Sequence, residues 1–328
     1  MVISKTPLRI SFFGGGTDYP TWYRERGGAV LSTTIDKYSY VTVRYLPPFF
    51  EHKNLVVWSQ IEKVKEIEEI AHPSVRETLK FLKIRDGLGI HYDGDLPART
   101  GLGSSSAFTV GFLNALHALQ GRQVAKRQLA LDAIHIEQNL IKENVGSQDQ
   151  VAAAFGGLNK IEFGGQDEIR VMPVEAEPQR LNLLQEHLML FFTGFSRTAS
   201  DIAAEQIKNT PQKTKELGAM RGMVTEAQEI LENRASNIED FGRLLRESWE
   251  IKRTLSSQVS NPFIDAVYKK ALEAGALGGK LLGAGGGGFL LIFARPDRHL
   301  KIKEELQPLR YVPFRFEDLG SQIIHKTV

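Results

Sequence analysis

The segment Asp95-Leu96-Pro97-Ala98-Arg99-Thr100-Gly101-Leu102-Gly103-Ser104-Ser105-Ser106-Ala107 constrains this chain most. In it a glycine turn runs through three serines into an apolar-periodic stretch that predicts a helix over 104–119. Gly101 and Gly103 allow positive φ and let an anion approach the peptide groups. The first turn of a helix has N–H groups with no partner inside the helix, and serine hydroxyls add donors. Gly101, Leu102, Gly103, Ser104, Ser105 and Ser106 therefore read as a phosphate cradle. A plain serine cap behind a glycine turn is the alternative reading of the same residues. The pattern Gly-x-x-x-x-Gly-Lys-Ser/Thr is absent, which excludes the P-loop solution to nucleotide binding.

A chain of 328 residues with 42% hydrophobic content has room for two domains, each with a core. A net charge of +2 without a run of basic residues favours neither nucleic acid nor an anionic membrane as partner, and the pI of 8.6 does not alter that. No apolar run approaches the roughly 18 residues of a membrane span, and the start lacks a signal-peptide pattern, so a cytoplasmic location is expected. The absence of cysteine excludes disulfides, thiolate metal sites and a cysteine nucleophile. The eight histidines show no ligand spacing of the His-Glu-x-x-His kind.

The first half reads as β-rich, with strands over 8–13, 29–34, 38–44 and 55–59. Helices are expected over 62–70, 73–82 and 125–142, the last with Leu129, Ala133, Ile136 and Leu140 on one face. Pro173, Glu175, Glu177 and Pro178 mark a boundary, giving an α+β chain divided into 1–182 and 183–328. The second half reads as a strand over 188–193 and helices over 213–234, 238–258 and 262–274. A glycine loop, a strand over 289–294, a helix over 300–309 and a strand over 311–316 follow.

Two further islands belong with the serine loop. Thr6-Pro7-Leu8-Arg9-Ile10-Ser11-Phe12-Phe13-Gly14-Gly15-Gly16-Thr17-Asp18 sets an arginine in an apolar strand that ends in three glycines and an aspartate. Lys280-Leu281-Leu282-Gly283-Ala284-Gly285-Gly286-Gly287-Gly288-Phe289 is a glycine loop that feeds a strand and not a helix, which disfavours a dinucleotide fold. In this order the three islands resemble the signature motifs of the GHMP small-molecule kinases over nearly the whole chain. Within that superfamily, Gly14 to Asp18, Gly146-Ser147-Gln148-Asp149-Gln150, Thr193 to Asp201 and Gly285 to Gly288 resemble the D-glycero-D-manno-heptose 7-phosphate kinase family. The fucokinase family is similar in the first two of these motifs.

The resemblance implies a two-domain fold, a ribosomal S5 domain 2-like N-terminal domain with a ferredoxin-like C-terminal domain, and an active site in the cleft between them. It implies ATP and Mg2+ as cofactors, a sugar phosphate as substrate, and no nucleic-acid or membrane partner; a homodimer is left open. Asp149 would take the proton of the attacked hydroxyl, with a helix cap as its alternative role. Arg9 would act on the same hydroxyl or hold Asp149 charged, with a structural ion pair as the alternative. Ser105 and Glu137 would bind magnesium, while a lone exposed helix carboxylate is the other reading of Glu137. Gly15, Gly16, Thr17 and Asp18 would face the sugar, as would Gly285 and Gly286. Galactokinases carry Glu-His where this chain has Gly15 and Gly16, which leaves room for a bulkier sugar. Ser196, Arg197 and Ser200 are candidates for a distal phosphate, or else cap a helix; Val56, Val57 and Trp58 are candidates for an adenine pocket, or else a core strand. The expected reaction is phosphorylation of the anomeric hydroxyl of heptose 7-phosphate to the 1,7-bisphosphate. A fucose or other sugar 1-kinase and a catalytically silent sugar-binding relative are the alternatives.

Overall fold

The computed structural model describes residues 1–165, 168–194 and 199–327. Its first sheet is built around two long neighbours, the strands Val2–Phe13 and Gly28–Tyr45, paired antiparallel from Val2 opposite Val43 to Phe13 opposite Leu31. The sequence breaks expected at Ile35-Asp36-Lys37 do not end the second strand. Residues 28–35 are buried and 36–45 alternate, so one strand passes from a covered region to a half-solvated one. Among the described residues the sheet has nine strands.

The stretch 62–70, expected as helix from its charge, forms the strand Ile61–Val64 and a 3₁₀ turn Ile67–Glu69. Pairing with Asn54–Val57 wins over local propensity there. The stretch 125–142 is also divided. The helix Lys126–Ile134 runs into a π-helical turn, His135–Leu140, with Leu129, Ala133 and Ile136 buried and Leu140 exposed.

The second sheet holds Leu188–Gly194, Ala276–Leu281, Gly288–Ala294 and Arg310–Tyr311. Numbered in chain order, its strands lie 4-1-3-2 and all pair antiparallel. Helices intervene between the first and second and between the third and fourth, which is the ferredoxin-like arrangement the resemblance implied. The long helices Thr214–Glu232 and Ile238–Arg253 lie in the first of these connections. Sequence placed the end of the second helix five residues later, at 258.

The two sheets share a core. Phe241 meets both Phe12 and Phe13 edge-on, with ring centroids 5.4 and 5.1 Å apart, and packs beside Phe293. The chain then returns to its start. Gln322–Lys326 pairs with residues 2–5, and Phe316–Glu317 pairs with Ile35 and Thr34, where one continuous strand over 311–316 was expected. We keep a division at 182/183 as a proposal, amended by this returning tail. Among the described residues no helix is long and apolar enough to cross a membrane.

Candidate active site

Three glycine-bearing loops converge where Val2–Phe13 ends. The Arg9 backbone N–H donates to Leu102 O at 3.0 Å, and its guanidinium donates from Nη1 to Gly101 O at 2.7 Å. The other edge of the fork faces Asp149, Nε to Oδ1 and Nη2 to Oδ2, each at 2.8 Å. Arg9 is buried, while the Asp149 side chain keeps 25% of its surface exposed. A side chain at Gly103 would start 3.2 Å from Arg9 Cγ and 3.3 Å from Asp149 Oδ2, so the pair sits directly against the turn that opens the serine helix. Gly101 and Gly103 have φ of 87° and 72°, as the turn requires. Leu102 is buried and serves the core. Asp149 is not the helix cap: Ser147 holds that position, and Asp149 lies in the first turn of Gln148–Phe155.

The serines divide their labour. Ser104 Oγ accepts from Arg99 N–H at 3.2 Å and closes the loop, Ser105 is exposed at the helix N-terminus, and Ser106 Oγ donates to Glu137 Oε2 at 2.8 Å. Beside the expected magnesium pair of Ser105 with Glu137, the hydroxyl one residue on, Ser106, is the one bonded to Glu137. Glu137 is fully buried, not an exposed helix carboxylate. Gln150 Nε2 also donates to its Oε2, while Oε1 has no hydrogen-bond partner among the described residues. Burial pushes this carboxyl up to about 7 against the hydrogen bonds it accepts. A hard oxygen left unsatisfied beside hydroxyls fits a divalent cation that keeps most of its water, although among the described residues no three acidic or histidine groups gather as a cage.

Asp18 and Thr17 are buried differently from the expectation. Thr17 Oγ1 shares its one hydrogen between Gly14 O and Ala29 O and accepts from Ala29 N–H, so this fully buried side chain pins the glycine turn and its donor is spent on backbone. Asp18 accepts from Gly16 N–H and from Gln148 Nε2, both at 3.0 Å. Its carboxyl is raised by burial and by the nearby Asp149 charge. Gly146 is required here, because a Cβ would stand 1.8 Å from Asp18 Oδ2.

The last glycine loop packs on the serine loop, backbone against backbone. A Cβ at Gly283 would lie 2.4 Å from Gly101 Cα, and Phe289 N–H donates to Thr100 O at 3.2 Å. Gly285 and Gly286, expected at the substrate, are held from behind by Val259, whose O accepts from Gly286 N–H at 3.0 Å; Gly283 is the glycine that meets the cradle.

Two lysines that sequence reading missed stand under this junction. Lys252 Nζ donates to Leu281 O at 3.0 Å and to Gly283 O at 2.5 Å, and Lys280 Nζ reaches across to Phe12 O at 2.7 Å. Burial, with Arg9 close by, pushes the Lys252 ammonium down to about 7 and Lys280 well below its ordinary range. Lys280 stood within the third motif, but nothing in the sequence marks its side chain as inward.

Ser196 and Arg197 lie outside the described residues, and the backbone of Ser200 belongs to the helix Ala199–Asn209. Val56 is a core residue, whereas Trp58 lies edge-on to His72 with ring centroids 4.9 Å apart.

The fold and this junction define a class. The chain belongs to the GHMP kinases: the model of their N-terminal domain matches residues 66–157 and that of their C-terminal domain residues 227–310. It is a phosphotransferase of the family that uses ATP, with the two-domain fold of that family. Within it, the chain is 30% identical over 93% of its length to D-glycero-alpha-D-manno-heptose 7-phosphate kinase of Campylobacter jejuni, covering 92% of that protein. It is 26% identical over 90% of its length to a bifunctional fucokinase/GDP-fucose pyrophosphorylase of Arabidopsis thaliana, of which it spans 30%. A crystal structure of a D-glycero-D-manno-heptose 1-phosphate kinase from Bacteroides thetaiotaomicron superposes with a TM-score of 0.81 at 23% identity, each chain covered completely.

Proposed function

We propose that the protein transfers the γ-phosphoryl group of ATP to the anomeric hydroxyl of D-glycero-D-manno-heptose 7-phosphate, giving the 1,7-bisphosphate. The observation that carries the transfer chemistry is the Arg9–Asp149 pair seated against Gly103. Asp149 accepts the proton of the hydroxyl, whose oxygen forms the new bond to phosphorus while the bond to the ADP oxygen breaks. Arg9 fixes the carboxylate by its fork, leaving outward lone pairs on a side chain that solvent still reaches. The free N–H groups at the start of Ser104–Leu119, with exposed Ser105, hold the phosphates. Glu137 and the Ser105/Ser106 hydroxyls would hold magnesium, which would supply positive charge to offset that of the ATP phosphates.

The heptose assignment rests on the relative at 30% identity, and the sugar is tested by substrate. In an ADP-release assay with ATP and magnesium, heptose 7-phosphate is expected to turn over far faster than fucose, galactose or mevalonate. Equal or faster turnover of fucose overturns the heptose assignment. Unaltered ATP binding with no turnover of any sugar makes the chain a silent relative.

A further inference from the structure

The carbonyls and the N–H groups of the last glycine loop are in opposite states. From Leu281 to Gly288 five backbone carbonyls accept from side chains: Lys252 takes Leu281 and Gly283, Gln206 takes Ala284, Asn261 takes Gly286 and Thr193 takes Gly288. The N–H groups of Gly283, Ala284, Gly285 and Gly287 donate to nothing among the described residues, although Gly285 and Gly287 are buried. Buried N–H groups are almost always paired, so covering the carbonyls leaves this loop a donor surface for an anion.

Lys252 differs from the other three donors in its charge. It is 5% exposed, and among the described residues no carboxylate lies within ion-pair distance of it. A buried ammonium without an anion is costly, and a neutral donor would serve the carbonyls as Gln206 does. The side chain starts from a firm base. A Cβ at Gly278 would stand 2.0 Å from Gly242 O, so the helix Ile238–Arg253 lies directly on the strand that leads into the loop. The second carbonyl that Lys252 holds belongs to Gly283, the glycine stacked on Gly101.

We infer that Lys252 is a positioning residue for the ATP phosphates: it clamps the last glycine loop by Leu281 O and Gly283 O, keeps Gly283 stacked on Gly101, and sets a buried positive charge behind the cradle. This rests on the reading of the site as an ATP-dependent kinase and not on which sugar it uses.

The test titrates AMP-PNP, an ATP analogue that cannot transfer its phosphoryl group, with magnesium into wild type, Lys252→Met and Lys252→Gln by calorimetry. Steady-state kinetics and thermal melts run alongside. Lys252→Met keeps the length and removes donors and charge; the analogue Kd and the ATP KM are expected to rise about 10-fold, with the sugar KM within about twofold of wild type. Lys252→Gln keeps N–H donors without the charge and is expected to raise both by about 3-fold. Lys252→Met combined with Gly283→Ala should lose less ATP affinity than the product of the single losses, since both act on one stacked contact. A lowered melting temperature with the analogue Kd and both KM values unchanged makes Lys252 a stability residue and overturns the inference, as does an equal rise in both KM values. If Lys252→Met does not fold, Lys252→Gln decides; failure of both to fold also overturns the positioning role. If wild type phosphorylates no sugar of the panel, the proposed activity falls and the calorimetric comparison still decides the role of Lys252.

Discussion

Glu137 is a buried carboxylate whose surroundings bring its titration to near neutral pH. Burial raises its folded pKa to about 7 from the ordinary 4.5 of a free glutamate, so the native state binds more protons than the unfolded chain between those values. The associated stability is complete below about pH 4.5 and is lost as pH rises through about 7, a swing on the order of 3 kcal/mol. Glu137→Gln is therefore expected to melt higher, relative to wild type, at pH 8 than at pH 5. It is also expected to need more magnesium for half-maximal turnover. A melting difference independent of pH would contradict the titration. Asp149 poses a different question at the same scale. Asp149→Asn keeps the shape and removes the charge, and kcat is expected to fall ~10² to 10⁴ with ATP affinity nearly unchanged by calorimetry. Because Arg9 and Asp149 form one bidentate unit, Asp149→Asn combined with Arg9→Met should lose less than the product of the single losses. Near-normal turnover in folded Asp149→Asn removes the base from the mechanism.

One helical turn organises the site. In Gln148–Phe155 three consecutive residues reach three separate parts of the chain: Gln148 holds Asp18, Asp149 holds Arg9 and Gln150 holds Glu137. Successive side chains on a helix fan out by roughly 100°, which lets adjacent positions serve separate partners. The glycine loops form the second device at this scale. Gly283 has φ 71° and no space for a Cβ, since Gly101 Cα lies 2.4 Å from that position. Gly121 has nearly the same φ, 73°, but nothing within 4 Å. Gly121→Ala should cost only backbone strain, about 1–2 kcal/mol. Gly283→Ala should cost more and also raise the ATP KM by about 10-fold or more, because the cradle must shift. Kinetics and melts of the two variants side by side check this, and equal ATP KM values would mean the stacked loops do not set the cradle.

The molecule is closed by its own end. The tail pairs with the first strand, Ser321 Oγ lies 2.8 Å from Thr6 Oγ1, and the Glu317 carbonyl accepts from Gly157 N–H at 3.0 Å and from the Thr34 hydroxyl. Truncation after residue 315 would leave an open edge along Val2 to Lys5 and remove Phe316, which packs near Phe12 at 6.4 Å between centroids. The loss is expected to be comparable to a domain's whole margin, roughly 5–15 kcal/mol, and to abolish a cooperative melt. A truncated protein that melts like wild type would make the tail dispensable.

The sequence by itself determined the three glycine loops, the serine helix, the ferredoxin-like second domain implied by the family resemblance, and Arg9 and Asp149 as a pair of interest. Each of these is written as a local pattern of residues with restricted backbone or strong periodicity, or as a family motif. Tertiary structure decided which hydroxyl meets Glu137, that Thr17 is spent on backbone, and that residues 62–70 pair as strand and turn. It also decided that Lys252 and Lys280 are inward and that the tail joins the first sheet. Those outcomes depend on which groups are brought together across distances such as Phe12 to Lys280, and on the burial that follows. A charged or polar residue reads the same in sequence whether it faces water or a carbonyl 268 positions away.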